Sequence, residues 1–81
     1  MAGVVVVREP VDSSTIASVG YDPVWHVLEL EFKDSGDIYI YYNVPASEYE
    51  ALRRAPSIGT YLNQQFKKAD YRYERVPREN R

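Results

Sequence analysis

No cysteine occurs in the 81 residues. That absence excludes a disulfide framework, a thiolate zinc site and a cysteine nucleophile. A single histidine, His26, excludes a multi-histidine metal site. Long apolar runs are missing too. The longest near the start is Val4–Val7, far short of a signal-peptide core or a bilayer span. The expectation is a soluble cytoplasmic protein with no membrane partner, no metal and no cofactor. Neither sign of charge dominates, with 10 Lys+Arg against 12 Asp+Glu, and 44% of residues are apolar, a globular composition. The chain has room for one small core. A domain of this size buries only about 60% of its unfolded surface, so a binding surface is easier to build than a deep catalytic pocket.

What the chain has in excess is tyrosine, eight of the residues. Charge is also unevenly placed. Residues 1–50 carry two basic and nine acidic side chains, and residues 51–81 carry eight basic and three acidic, so −7 and +5 make up the net −2. A basic C-terminal third predicts one positive face, although exposed helix faces need charge of some sign in any case.

Residues 1–12 read as a leader, with Val4–Val7 a candidate edge strand and Pro10 a break. Residues 13–76 read as the domain and 77–81 as a polar tail. Ile16–Tyr21 alternates as a short strand, and Tyr21-Asp22-Pro23 has turn chemistry. Val24–Lys33 gives the strongest signal. Val24, His26, Leu28, Leu30 and Phe32 alternate with Trp25, Val27, Glu29, Glu31 and Lys33. A hairpin loop at Lys33–Asp37, with Gly36 supplying a positive φ, leads to the return strand Ile38–Tyr42. The predicted aliphatic face holds Leu28, Leu30, Phe32, Ile38 and Ile40. The opposite face, left partly open, is expected to hold Trp25, Tyr39 and Tyr41, with Glu29 and Glu31 as solvent charges.

Two short helices follow. Ser47-x-x-Glu50 has capping-box spacing, and Pro45 alternatively opens the helix two residues earlier. Tyr49, Leu52 and Ala55 or Ala51 make its apolar stripe, and Pro56 stops it. Ser57 caps a second helix carrying Ile58, Tyr61, Leu62, Gln65 and Phe66, ending near Lys67-Lys68. Tyr71–Val76 alternates and is a candidate last strand. The predicted class is α+β: an antiparallel β-meander of three to five strands packed on one face by two short helices.

An ordered set of residues resembles a known family. It comprises Ser13-Ser14, Val19-Gly20-Tyr21-Asp22, Leu28-x-Leu30-x-Phe32, Gly36, Tyr39-x-Tyr41, Val44-Pro45, Tyr49, Leu52, Ala55 and Ser57-x-Gly59-x-Tyr61-x-Asn63. The set is similar to the KTSC domain, named for the C-terminus of some lysyl-tRNA synthetases and found alone in bacteria and phages. The resemblance covers roughly residues 13–73, with the central Tyr-x-Tyr as signature. One departure is Phe66-Lys67-Lys68-Ala69-Asp70, where relatives tend to carry Ile-Lys-x-x-Tyr. What the resemblance implies about function is RNA binding, suggested in part by the synthetase association.

The candidate site is built from residues that suit a phosphate-bearing ligand, RNA or a nucleotide. Tyr39 and Tyr41 can stack bases. Ser57 and Gly59 bare a helix N-terminus that attracts anions, with Arg53 and Arg54 just upstream. Tyr61 and Asn63 are two apart, so one faces the core and the other outward, and Lys67 adds charge. Each also has a plain structural role: strand tyrosine, N-cap, close-packing glycine. His26 has no partner set for general-base work, and no catalytic residue emerges. The expected function is a small non-catalytic binding module. The alternative is a protein-interaction or homodimerising module that uses the tyrosine face or an edge strand.

Overall fold

A computed structural model of the chain describes residues 6–77. Five antiparallel strands form one sheet in sequence order: β1 (Glu9–Pro10), β2 (Ile16–Asp22), β3 (Val27–Phe32), β4 (Ile38–Tyr41) and β5 (Tyr73–Val76). Between β4 and β5 lie α1 (Ala46–Arg54) and α2 (Ile58–Tyr61). The second helix runs on as a π turn over Leu62–Phe66 and a 3₁₀ turn over Lys67–Ala69. The α+β meander with two helices on one face is as the sequence predicts, and the last strand is real.

The core is the seam between the helices and the sheet. Ile16, Val19, Leu28 and Leu30 from the sheet meet Val44, Leu52, Ile58, Leu62 and Phe66. Ile58, Leu62 and Phe66 recur every four residues, so one stripe of the second helix is buried. Tyr21 and Tyr49 stack with ring centroids 4.7 Å apart, which docks α1 on β2.

Register corrects one expectation. Phe32 N–H donates to Asp37 O at 3.0 Å and Gly36 N–H to Phe32 O at 2.9 Å. Four residues therefore lie inside the closing pair, not five, and Gly36 turns back with φ 73°. Even-numbered β3 positions then oppose odd-numbered β4 positions: Leu28 faces Tyr41 and Leu30 faces Tyr39. The tyrosines thus share the helix-covered face with Leu28, Leu30 and Phe32. Ile38 and Ile40 stand with Glu31 and Glu29 on the other face.

That second face is not simply solvent. Glu29 is buried, because Arg8 Nη1 lies 2.8 Å from its Oε1. The segment carrying Arg8 passes close over Gly20, where a Cβ would come within 2.6 Å of the Val7 carbonyl oxygen. Of the expected edge strand at Val4–Val7, the described Val6 and Val7 are not in a strand; the described edge strand is Glu9–Pro10, which pairs with Val19 and Ser18. Val4 and Val5, and the tail beyond Pro77, lie outside the described residues.

Three local expectations also change. β3 begins at Val27, because Asp22 Oδ1 accepts from the N–H groups of Val24 and Trp25 and folds Pro23–His26 into a turn. His26 sits on that turn, exposed, with φ 56°, rather than on the Leu28 face. Finally, Pro45 is the N-cap of α1 and no side chain caps it, so the Ser47–Glu50 box does not form.

Candidate functional site

The sheet's tyrosine face and the second helix diverge to leave a cavity of about 470 Å³. Its floor is aromatic. Tyr39 and Tyr41 stand two apart on β4, and β5 sets Tyr73 directly opposite Tyr41. Ring centroids are 6.3 Å apart for Tyr39–Tyr41, 5.5 Å for Tyr39–Tyr73 and 5.4 Å for Tyr41–Tyr73, with planes inclined by 24°, 24° and 37°. Phe32 meets Tyr39 edge-on at 5.0 Å, and Phe66 meets Tyr41 edge-on at 4.8 Å. The floor is therefore a shelf of three rings stacked partly on one another, met steeply by Phe32 and Phe66.

The wall comes from the second helix and the chain after it: Gly59, Leu62, Asn63, Lys67, Asp70 and Tyr71. Gly59 permits close approach there, since a Cβ would stand 3.0 Å from Thr15 Oγ1 across the cavity rim. The wall backbone is irregular. Asn63 lies in the π turn, and Asp70 adopts the left-handed region at φ 56°. Irregularities of this kind concentrate at functional sites. Tyr71 packs on Phe66 at 4.8 Å and donates to Glu48 Oε1 at 3.2 Å. The other Glu48 oxygen accepts from the Tyr61 hydroxyl. Glu48 on α1 thereby pins the wall to the rest of the domain.

The Tyr41 hydroxyl is kept neutral. Burial, then the neighbouring phenols of Tyr39 and Tyr73, pushes the Tyr41 hydroxyl up to about 12. It stays protonated at neutral pH, able to donate and unable to repel an anion. Tyr61 is also pushed up to about 12, chiefly by its hydrogen bond to Glu48. Among the described residues, the side chains of Asn63, Lys67 and Asp70 make no hydrogen bond or ion pair within the chain.

Of the nine residues singled out from the sequence, Tyr39, Tyr41, Gly59, Asn63 and Lys67 line the cavity. The other four do not. Ser57 caps the second helix through Thr60 N–H at 3.3 Å. Arg53 turns to Glu9 and Tyr49 at 3.2 and 2.8 Å, so it does not converge on that N-terminus. Arg54 is exposed on α1, and Tyr61 serves Glu48. Sequence reasoning missed the other seven lining residues, among them Phe32, Phe66, Asp70, Tyr71 and Tyr73. The second Tyr-x-Tyr was the available signal: Tyr73 begins the strand that pairs with the strand of the first, and Tyr71 precedes it on the wall.

A family model for the KTSC domain matches residues 12–71. The chain belongs to the KTSC family. This KTSC chain is 45% identical over 69 residues to an uncharacterized protein of Stutzerimonas stutzeri, covering 85% of the chain and 96% of the relative. It is 42% identical over 65 residues to a lysine–tRNA ligase of Nostoc, covering 80% of the chain and 11% of the ligase. The crystal structure of a KTSC domain protein from Yersinia pestis superposes with a TM-score of 0.80 at 32% identity, covering 89% of this chain and 99% of that one. The five-stranded sheet and its two helices are thus the KTSC fold. Among the described residues, no helix is long and apolar enough to cross a membrane, and no group of metal-ligating side chains gathers.

Proposed function

We propose that this KTSC domain is a small non-catalytic module that binds single-stranded RNA, seating a base on the Tyr39–Tyr41–Tyr73 shelf. One observation carries the reading: Tyr39 and Tyr41 on β4 meet Tyr73 on the adjacent β5, distant in sequence, and line a cavity of about 470 Å³. That volume falls within the usual range for a small-molecule site, about 300–1,000 Å³. Base-on-ring stacking contributes roughly 1–3 kcal/mol per base and tolerates any base. Lys67 at the wall offers charge to a phosphate. The match to a segment of lysine–tRNA ligases, enzymes that by name handle tRNA, agrees with an RNA ligand. The helix N-terminus has no part in this reading, since Ser57, Arg53 and Arg54 lie off the cavity.

The test is fluorescence anisotropy with labelled single-stranded RNA, tRNA and free nucleotides at two salt concentrations. Binding should weaken with salt. Tyr73 is 52% exposed, so Tyr73→Ala leaves the fold intact and should weaken binding by about 1–3 kcal/mol. A wild-type protein that binds nothing tighter than about millimolar at low salt refutes the proposal.

A second reading, a protein-interaction module, draws on a different feature. Val24 and Trp25 stand 79% and 66% exposed on the turn before β3. Exposed tryptophan is typical of interface anchors. Loss of partner capture in Trp25→Ala, with RNA binding absent in wild type, would favour it.

A further inference from the structure

β5 is the less guarded edge of the sheet. The opposite edge, β1, is two residues long and ends in Pro10, features that blunt an edge. β5 holds no proline, and Tyr73, Glu74 and Arg75 are all exposed. Tyr42 N–H donates to Arg72 O at 2.9 Å, so 42 and 72 form a hydrogen-bonded pair, as do 40 and 74 two residues on. Tyr73 and Arg75 fall between those positions, and their N–H and C=O groups point away from β4. Among the described residues no backbone group meets them.

Charges on an edge ordinarily discourage pairing. Here their order allows it in one register. A second copy added antiparallel about a two-fold axis normal to the sheet keeps every side chain on its own face. Residues then meet only partners an even number of positions away. Centred on Arg72, Glu74 or Arg75, such a pairing sets a charge against itself, which is destabilising. Centred on Tyr73, it sets Arg72 opposite Glu74 on both sides and Arg75 opposite Tyr71. Tyr42 already holds both charges on the face away from the helices. Arg72 lies over its ring at 5.3 Å, and Glu74 Oε1 accepts from its hydroxyl at 2.6 Å. Arg72 has no ion pair within the chain among the described residues.

We infer that a second copy of this chain pairs along β5, with Tyr73 opposite Tyr73, to give one continuous sheet. The outward N–H and C=O of each Tyr73 bond those of the other, and two Arg72–Glu74 pairs flank them on one face. On the other face the two Tyr73 rings, each 52% exposed in the single chain, cover one another. Both cavities then open on the same side of the sheet, with Tyr73 of each at the join. The paired strip is short, so the dimer is weak and forms at high concentration. It does not depend on the RNA reading.

Sedimentation velocity of the full chain without RNA, from about 1 µM to about 1 mM, spans the range expected of a small interface. Wild type should pass from monomer to dimer across it. Glu74→Arg sets Arg72 against another arginine and should weaken dimerisation about tenfold or more, two opposite-charge pairs having become like-charge. Arg72→Glu should do the same. Both positions are exposed, so the variants keep the fold. The double change Arg72→Glu with Glu74→Arg should restore wild-type association, because the pairs return with their signs exchanged. A wild type that stays monomeric at the top of the range overturns the proposal and leaves the edge to a strand of another protein. A dimer indifferent to either single reversal, or a double change that stays monomeric, also overturns it. A dimer tightened by Glu74→Gln pairs in the register centred on Glu74 and overturns the one assigned here.

Discussion

Arg8→Ala removes a guanidinium from the sheet face that the helices leave uncovered. Arg8 Nη1 lies 2.8 Å from Glu29 Oε1, and Arg8 Nε donates to Ser18 Oγ at 3.2 Å. Ser18 in turn donates to Glu31 Oε1 at 2.8 Å, so one arginine anchors two carboxylates. The Glu29 side chain keeps 11% of its surface and Arg8 26%. A fully exposed pair contributes roughly 0–1 kcal/mol. Severing a fully buried one costs roughly 3–5 kcal/mol, because a charge is left without a partner. Glu29 is close to the second case, but truncating a partly exposed arginine lets water reach it. The loss should therefore fall between the limits, at about 2 kcal/mol. That is a large share of the roughly 5 kcal/mol a domain this small holds. Urea unfolding followed by circular dichroism measures it. Glu29→Gln in the Arg8→Ala background should recover part of the loss, since a neutral amide is cheaper to leave buried than a carboxylate. A loss under about 0.5 kcal/mol, the scatter of ordinary surface changes, would refute the argument that this leader contact matters to the fold.

Two further outcomes follow from the packing and the phenols. Leu30 is fully buried beneath the second helix, and Leu30→Ala should cost roughly 2–5 kcal/mol; melting within a few degrees of wild type would contradict its place in the core. Tyr41 and Tyr61 have ordinary values of 10.0 unfolded and are raised to about 12 when folded. The unfolded chain therefore loses these protons first, and the stability they contribute is whole below pH 10 and lost as pH rises toward 12. Urea midpoints should fall over that window, less steeply in Tyr41→Phe, and a flat profile would contradict the burial of the Tyr41 hydroxyl.

The strands were readable because their alternation is long and their turns carry Asp, Pro and Gly at the needed positions. Which face the tyrosines take was not. It depends on whether the hairpin closes over four residues or five, and Lys33–Asp37 is compatible with either. Choosing five moved Ile38 and Ile40 into the core and turned Tyr39 and Tyr41 outward, because a one-residue slip inverts every side chain. Likewise Ser47-x-x-Glu50 looks like a capping box, yet Pro45 already has the extended backbone of an N-cap at φ −64° and ψ 150°. Glu29 read as a solvent charge because its partner is 21 residues away in sequence. Arg53 read as an anion ligand because nothing local showed that Glu9, 44 residues upstream, takes it. In each case pairing across the fold overrode a local pattern.

The same slip changes what the site can be. On an open sheet face, Tyr39 and Tyr41 would meet a ligand with no second wall, and a flat exposed row of rings suits a protein as well as a base. Under the helix, the rings face Asn63, Lys67 and Asp70 across a gap. If the proposed RNA ligand binds here, stacking would come from the sheet and hydrogen bonding from the helix, and the two could vary separately. Tyr41 belongs to both, because its ring meets Phe66 of the core at 4.8 Å on one side and the shelf on the other. Tyr73 belongs to the shelf alone and is half exposed. Substitution at Tyr73 can therefore report on binding without the stability cost that any change at Tyr41 brings with it.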